Sequence, residues 1–270
     1  MNYKNLNLKK IDNVKNIVAY NNEMRKALID KIFFLDKVGD TNVFIDYGCA
    51  DGSMLKLASS IIPNAIYVGY DFSNEMILSA EKNNKSIRFT SNFDELLKII
   101  NENKPDGNKI CLSIMSLIHE VYHYGSKRIK EFWDFVFNPD LFDYIAIRDM
   151  CVSRATSRHS DPISVMKIRM NYDKDMVAQW EANWGSLTEN WSLVHFLLTY
   201  RYIETWDREF RENYLPLNME DFLAIIPNMW EPIYIEHYTL PFIRQQVMDD
   251  FGIDLQDRTH IKLILKRKKQ

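Results

Sequence analysis

The sequence is poor in cysteine, and the three it has are scattered. Cys49, Cys111 and Cys151 stand apart without CxxC spacing. That argues against a disulfide framework or a cysteine-based zinc site, and fits a reducing, cytoplasmic setting. No metal is called for. There is no run of about eighteen or more apolar residues, so no segment is expected to span a membrane. The opening stretch, MNYKNLNLKKIDNVKN, lacks an apolar centre and does not read as a signal peptide. Positive charge is not in excess either: 34 Lys and Arg face 37 Asp and Glu, a net charge of −3. Bulk attraction to nucleic acid needs a basic face, which this balance disfavours while leaving a local basic groove open. Internal repeats and low-complexity segments are absent.

What remains is an ordinary globular composition, 46% apolar and 26% charged over 270 residues, enough for one large domain or one domain with an insertion. Residues 11–36 carry apolar positions at helical spacing (Ile17, Val18, Met24, Leu28, Ile32, Phe33), which predicts one or two N-terminal helices, so that 1–40 is read as a helical segment capping the site. The pattern then changes to short apolar runs alternating with helices. Strands are expected over 42–46, 65–71, 86–91, 109–117 and 144–150, and helices over 53–62, 73–83, 92–100 and 127–137. Ser73 is a candidate helix cap, and Asn92 with Glu95 has capping-box spacing. Near-continuous apolar strands alternating with helices mean a parallel sheet covered on both faces. Two further strands, 231–242 and 259–268, are joined by a polar stretch that is short for a crossover helix. An antiparallel pair at the sheet edge is the simplest arrangement. The core is thus placed at 41–150 and 216–270.

Residues 151–215 differ in character. They hold ten aromatics, and their charges nearly cancel, eight basic against nine acidic. This segment is read as a helical insertion folded over the carboxyl edge of the sheet. Most of its aromatics suit a core better than a stacking cage. HFLLTYRYIETW (195–206) reads as one helix.

The first βα turn carries the strongest signal. VFIDYGCADGSML (43–55) runs a strand into two glycines, Gly48 and Gly52, and then into a helix. Ligands of open parallel sheets bind outside the carboxyl ends of the strands, and glycine lets backbone approach them closely. Asp71 ends the next strand, nineteen residues past Gly52, where an acid can accept both hydroxyls of a ribose. The dinucleotide fingerprint GxGxxG is not met by GCADG, which weakens a pyrophosphate reading.

Asp46-Tyr47-Gly48-Cys49-Ala50-Asp51-Gly52, followed by Gly69-Tyr70-Asp71, resembles the class I S-adenosylmethionine-dependent methyltransferases. The resemblance covers most of 11–150 and resumes at 231–268. It implies a Rossmann-like α/β fold: a seven-stranded sheet, mostly parallel with an antiparallel C-terminal hairpin, and helices on both faces. It implies S-adenosylmethionine as cofactor and S-adenosylhomocysteine as product. The turn containing Gly48, Cys49, Ala50 and Gly52 would face the amino-acid half of the cofactor, with Asp46 supporting the turn and the amine. Ala50 stands where the family has its middle glycine. Asp71 would take the ribose hydroxyls and Phe72 would pack on adenine. Asn92 and Phe93 stand where the family often has an acid and an apolar residue on adenine; for Asn92 a helix cap is the competing role. Met115 and Ser116 would line the other side.

For chemistry, SLIHEVYHYG follows the fourth strand and puts His119 and Glu120 at the carboxyl edge. Many small-molecule members of the family carry a histidine at the matching place, and histidine suits general-base work near neutral pH. The alternative is a structural hydrogen bond. Arg148-Asp149 ends the fifth strand, where a charged pair calls for either a substrate or an internal ion pair with the insertion. Asp149 joins His119 and Glu120 as a candidate catalytic residue. Arg148, Arg154, Arg158 and Arg201, with His119, are the candidates to bind an acceptor; His159 and Arg208 are further charged groups in the insertion. The terminal KRKK at 266–269 reads as a solvated tail or else a phosphate contact.

Absent motifs narrow the acceptor. The NPPY-like run of DNA amino-methyltransferases is replaced by IMSL, the Pro-Cys of cytosine C5 methylation is missing, and no Asp of a Lys-Asp-Lys-Glu set stands at strand four. The resemblance therefore implies methyl transfer to an oxygen or nitrogen of a small molecule. A nucleotide or RNA base, or a binding module without turnover, are the alternatives.

Overall fold

A computed structural model describes residues 26–105 and 107–268. Ile17, Val18 and Met24, on which much of the N-terminal helix expectation rested, lie outside the described residues. From Leu28 the chain forms a short turn of helix, α1 (Leu28–Lys31), and then a series of turns to residue 37.

The chain then alternates as its apolar pattern predicts: β1 (Val43–Tyr47), α2 (Ser53–Ile61), β2 (Ile66–Tyr70), α3 (Asn74–Asn83), β3 (Arg88–Thr90), α4 (Phe93–Asn103), β4 (Ile110–Met115), α5 (Ile118–Val121), α6 (Ser126–Val136) and β5 (Tyr144–Met150). Every residue of β1 and β4 is buried, as a strand covered on both faces requires. β1 pairs in parallel with β2 and β4, β2 with β3, and β4 with β5.

A run of helices precedes the last part of the sheet: α7 (Pro162–Asn171), α8 (Lys174–Trp184), α9 (Asn190–Thr199), α10 (Trp206–Glu209), α11 (Met219–Ala224), then β6 (Trp230–Tyr238), α12 (Pro241–Phe251) and β7 (His260–Arg267). The sheet order is β3-β2-β1-β4-β5-β7-β6. Thr259 and Lys268 donate their N–H groups to the carbonyls of Tyr238 and Met229, so partner numbers fall on β6 as they rise on β7. That is an antiparallel pair. The same test makes β7 antiparallel to β5, through Arg267 to Asp143 and Cys151 to Thr259.

Two local expectations are corrected. The stretch after β6 is helical despite its polar look: Pro241 sits at the first turn, and Ile243, Val247 and Phe251 recur on one buried stripe. The expected 195–206 helix stops at Thr199. The capping box at Asn92 is half made. Asn92 Oδ1 accepts the N–H groups of Asp94 (2.9 Å) and Glu95 (3.3 Å), while the Glu95 side chain turns away to Thr90 Oγ1 (2.6 Å) and Arg88 (3.1 Å).

The chain forms two compact units. Among the described residues, the first contains 26–105, 107–149, 226–235 and 262–268; the second contains 150–225 and 236–261. The second unit has its own core around fully buried Trp180, Phe196 and Val247. Its aromatics are core residues: Trp180, Trp184 and Trp191 all pack their rings against His195, at 4.7–5.1 Å between centroids.

In the first unit, one aromatic ring fixes the distance between turn and sheet. Phe89 of β3 lies so close to Gly69 of β2 that a Cβ there would stand 2.4 Å from its ring, and one at Gly52 would stand 2.6 Å from it. Both glycines are space-limited, and Gly52 also holds a left-handed φ of +71°. Gly69→Ala should therefore destabilise the protein by about 1–3 kcal/mol through overpacking. The loss should shrink in a Phe89→Val background. Urea unfolding of the four proteins checks this, and an equal loss in both backgrounds would clear Phe89 of the role.

Candidate active site

The carboxyl ends of β1, β2 and β4 frame a pocket in the first unit with roughly 650 Å³ of empty space, part of it open to solvent. Its floor is the glycine turn. Gly48 (φ +87°) and Gly52 (φ +71°) bracket Ala50, which itself holds a positive φ of +46°. For a residue with a Cβ this conformation costs on the order of 1–2 kcal/mol. Asp71 offsets it: Oδ2 accepts the Ala50 N–H at 3.0 Å, and Oδ1 accepts the Ser73 N–H at 2.9 Å. One carboxylate thus ties the first βα turn to the start of α3. Each of its oxygens keeps a second lone pair for another donor.

The pocket is acidic. Asp46, Asp51, Asp71 and Glu120 line it, and among the described residues Lys31 is the one basic group on its wall. Asp46, buried on β1, accepts the Ser113 hydroxyl at 3.0 Å. Burial pushes its pKa up to about 7, and burial pushes that of Asp71 up to about 6. Lys31 moves the other way, down to about 8, again chiefly through burial, with Arg148 adding repulsion. These directions are what desolvation does to charged groups. Lys31 was not singled out in the sequence, since a lysine on a short helix has no signal of its own. Only the fold carries α1 to the pocket.

The remaining predicted residues sort by position. Cys49, Phe72, Met115 and Ser116 line the pocket together with Asp46, Gly48, Ala50 and Asp71. Gly52, Asn92 and Phe93 do not. Gly52 faces Phe89, Asn92 caps α4, and Phe93 is buried against Tyr70 and Phe135. Leu28, Asp51, Ser53, Met54 and Leu117 are lining residues that the sequence did not single out.

At the end of β4 the backbone is again unusual. Ser116 adopts φ +60°, with its N–H on the Arg148 carbonyl (2.7 Å) and its hydroxyl accepting from Arg148 Nη1 (2.6 Å). Arg148 also pairs with Asp30 at 2.9 Å, and Lys262 pairs with the other oxygen of Asp30 at 2.7 Å. The β5 charges were expected to meet either a substrate or an acid of the helical insertion; Arg148 pairs with an acid on α1.

Asp149 is the second organising carboxylate. Oδ2 accepts the N–H groups of Leu117 (2.9 Å) and Ile118 (2.6 Å), capping α5, and Oδ1 lies 2.8 Å from Nδ1 of His119. Both side chains are buried. A carboxylate on Nδ1 holds the imidazole with its proton there, which leaves Nε2 as the basic nitrogen. Glu120, next in sequence, reaches the pocket wall; His119 lies one residue behind it. Sheet adjacency of β4 and β5 creates this dyad across thirty residues of sequence.

The arginines named for an acceptor have distinct partners. Arg154 is exposed and pairs with Asp221. Arg158 makes a two-point bond to Asp257, at 2.7 and 2.8 Å. Arg201 donates to the Tyr202 hydroxyl at 2.9 Å.

No protein-family model matches the chain, and no curated protein matches it in sequence. Solved structures do match in fold. The methyltransferase domain of bacterial CtHen1-C is 12% identical with a TM-score of 0.52, over 94% of this chain and 100% of that one. A SAM-dependent methyltransferase from Anabaena variabilis is 12% identical with a TM-score of 0.50, over 96% and 98%. The plantazolicin methyltransferase BamL, solved with a desmethylPZN analogue and SAH, is 13% identical with a TM-score of 0.52, over 94% and 90%. The chain has the class I S-adenosylmethionine-dependent methyltransferase fold.

The raised pKa of Asp46 has a stability consequence. An unfolded aspartate titrates near ~3.9. With a folded value of about 7, the folded chain holds the extra proton between those limits, so this group erodes stability as pH rises through them. Asp46→Asn keeps an oxygen for Ser113 and removes the charge. Its stability relative to the parent should be greater at about pH 8 than at about pH 5 in denaturant titrations. A difference that does not move with pH would mean Asp46 ionises normally.

Proposed function

We propose that this protein is an S-adenosylmethionine-dependent methyltransferase acting on an oxygen or nitrogen of a small-molecule acceptor. The observation that carries the reading is the charge of the pocket on the glycine turn: among the described residues, four carboxylates and one lysine. A ligand bearing a sulfonium, an ammonium and one carboxylate complements that set: its two cations face the acids and its one carboxylate the one lysine. Among the described residues, no helix is long and apolar enough to cross a membrane.

Asp71 takes the ribose hydroxyls with the lone pairs its backbone bonds leave over. Asp46, Asp51 and Glu120 present negative charge to the cationic centres. Lys31 takes the carboxylate. Gly48 is held to glycine by its φ of +87° and by Leu117, whose side chain stands 3.0 Å from where a Cβ would be. Bound, the cofactor supplies a methyl group activated on sulfur.

The chain's own contribution is alignment and a base. Fixing two reactants in line accounts for much of the acceleration of a displacement. His119 accepts the acceptor's proton at Nε2, and Asp149 holds the ring and stabilises the resulting imidazolium. Because Asp149 also caps α5, the base and the segment carrying Glu120 are positioned by one group. A net charge of −3 offers no excess for a phosphate backbone, which favours a small acceptor over a nucleic acid.

Calorimetry with S-adenosylmethionine and S-adenosylhomocysteine is the first test. Saturable binding is expected, weakened at least about tenfold by Asp71→Ala and by Lys31→Met. Binding should also weaken as pH falls below 7, because Asp46 must give up its proton to face a cation, and further below 6 as Asp71 follows. No binding to the parent protein overturns the cofactor reading.

With an acceptor found by screening for S-adenosylhomocysteine release, His119→Asn should lower turnover by about 10²–10⁴-fold and leave cofactor affinity unchanged. Turnover at the parent rate would remove His119 as base and leave catalysis by alignment alone.

A further inference from the structure

The second unit contains a pocket of its own, with roughly 610 Å³ of empty space, much of it open to solvent. Tyr172, Tyr200 and Phe251 form one side, with ring centroids 4.9–6.1 Å apart. Arg201 stands on the same wall. Its chemistry is unusual for a half-buried arginine. It hydrogen-bonds a neutral group, the Tyr202 hydroxyl, and its guanidinium lies over the Tyr202 ring at 4.7 Å and the Phe242 ring at 5.8 Å. Nε is fully buried without a hydrogen bond. No carboxylate among the described residues forms an ion pair with it. Arg154, Arg158 and Arg208 all have acids. A guanidinium is always charged, and holding one partly desolvated with no acid bonded to it is costly; Asp250, the acid lining the same pocket, takes the Tyr200 hydroxyl instead.

We infer that this cavity binds a small monoanionic carboxylate with a flat apolar body, the carboxylate on Arg201 and the body against Tyr172, Tyr200 and Phe251. The planar fork of arginine matches a carboxylate, and the aromatic wall suits a ring or unsaturated chain. A cation would meet Arg201. A phosphate dianion would meet Asp250, which also borders the cavity and whose Oδ2 takes the Tyr200 hydroxyl at 2.6 Å. A carboxylate carrying one charge balances Arg201 with the least repulsion from Asp250. The inference stands on the second unit alone and does not depend on the cofactor reading.

Benzoate is the probe, with binding read by NMR of the full-length protein and with benzylamine and inorganic phosphate as comparisons. Saturable benzoate binding is expected, with resonances of the tyrosine rings perturbed. Arg201→Met should weaken it at least about tenfold, with the thermal unfolding of the variant showing that the fold is kept. Arg201→Lys retains the buried charge without the fork, and serves if the Met variant does not fold; it too should weaken benzoate several-fold. Benzoate binding unchanged by either substitution, absent altogether, or matched by phosphate or benzylamine would overturn the assignment.

Discussion

The structure depends on how it satisfies carboxylates buried at the carboxyl edge of a parallel sheet. Asp46, Asp71 and Asp149 each lie at or beside the end of a strand, and each is buried. Left without donors, such groups would be expensive. Asp71 and Asp149 are met by backbone N–H groups, two apiece, from the turns and helix starts at the same edge. In both cases one side chain fixes the path of a segment remote in sequence. Asp46 has the Ser113 hydroxyl, and burial raises its proton affinity more than that bond lowers it. The edge of the sheet is therefore braced at two acids and left electrostatically open at a third.

That division separates scaffold from chemistry. The Asp71 bonds hold Ala50 in a conformation that an alanine rarely adopts, so the floor of the pocket is set before any ligand arrives. The Asp149 bonds orient His119 and anchor the short helix that presents Glu120. Lys31 supplies positive charge to the pocket wall, delivered by an element only four residues long. Its neighbour Asp30 is pinned from two sides by Arg148 and Lys262, which ties this short element to β5 and β7.

Much of this was legible in the sequence. The strands announce themselves as apolar runs of β-branched and aromatic residues, and the glycine turn with Asp71 marks the ligand edge. Gly48 was recognisable because a left-handed turn favours glycine, Asp71 from its place at the end of the second strand, and Asp46 and Ala50 from the resemblance of their motif to the methyltransferase turn. Lys31, Asp51 and Leu117 were not, because nothing in their own neighbourhood differs from a surface lysine, a turn aspartate or a core leucine. The partners of Arg148 and Asp149 were not legible for a related reason. A charged pair at a strand end requires satisfaction, but only the pairing of strands decides which distant group provides it. The α12 helix was hidden by a polar surface that outnumbers its three-residue stripe.

The order of the sheet has a consequence for synthesis. β7, near the end of the chain, does not lie on the margin of the sheet but between β5 and β6. As the chain emerges, β5 has one finished neighbour and one vacant side, and β6 has no strand beside it. Unpaired strand edges of this kind recruit other strands. The nascent protein thus carries an open flank through the whole of its helical second unit, closed only when residues 260–267 arrive. Until then the β5 and β6 edges offer unpaired backbone N–H and C=O groups to any other strand, so the last strand to be made is the one that protects the sheet.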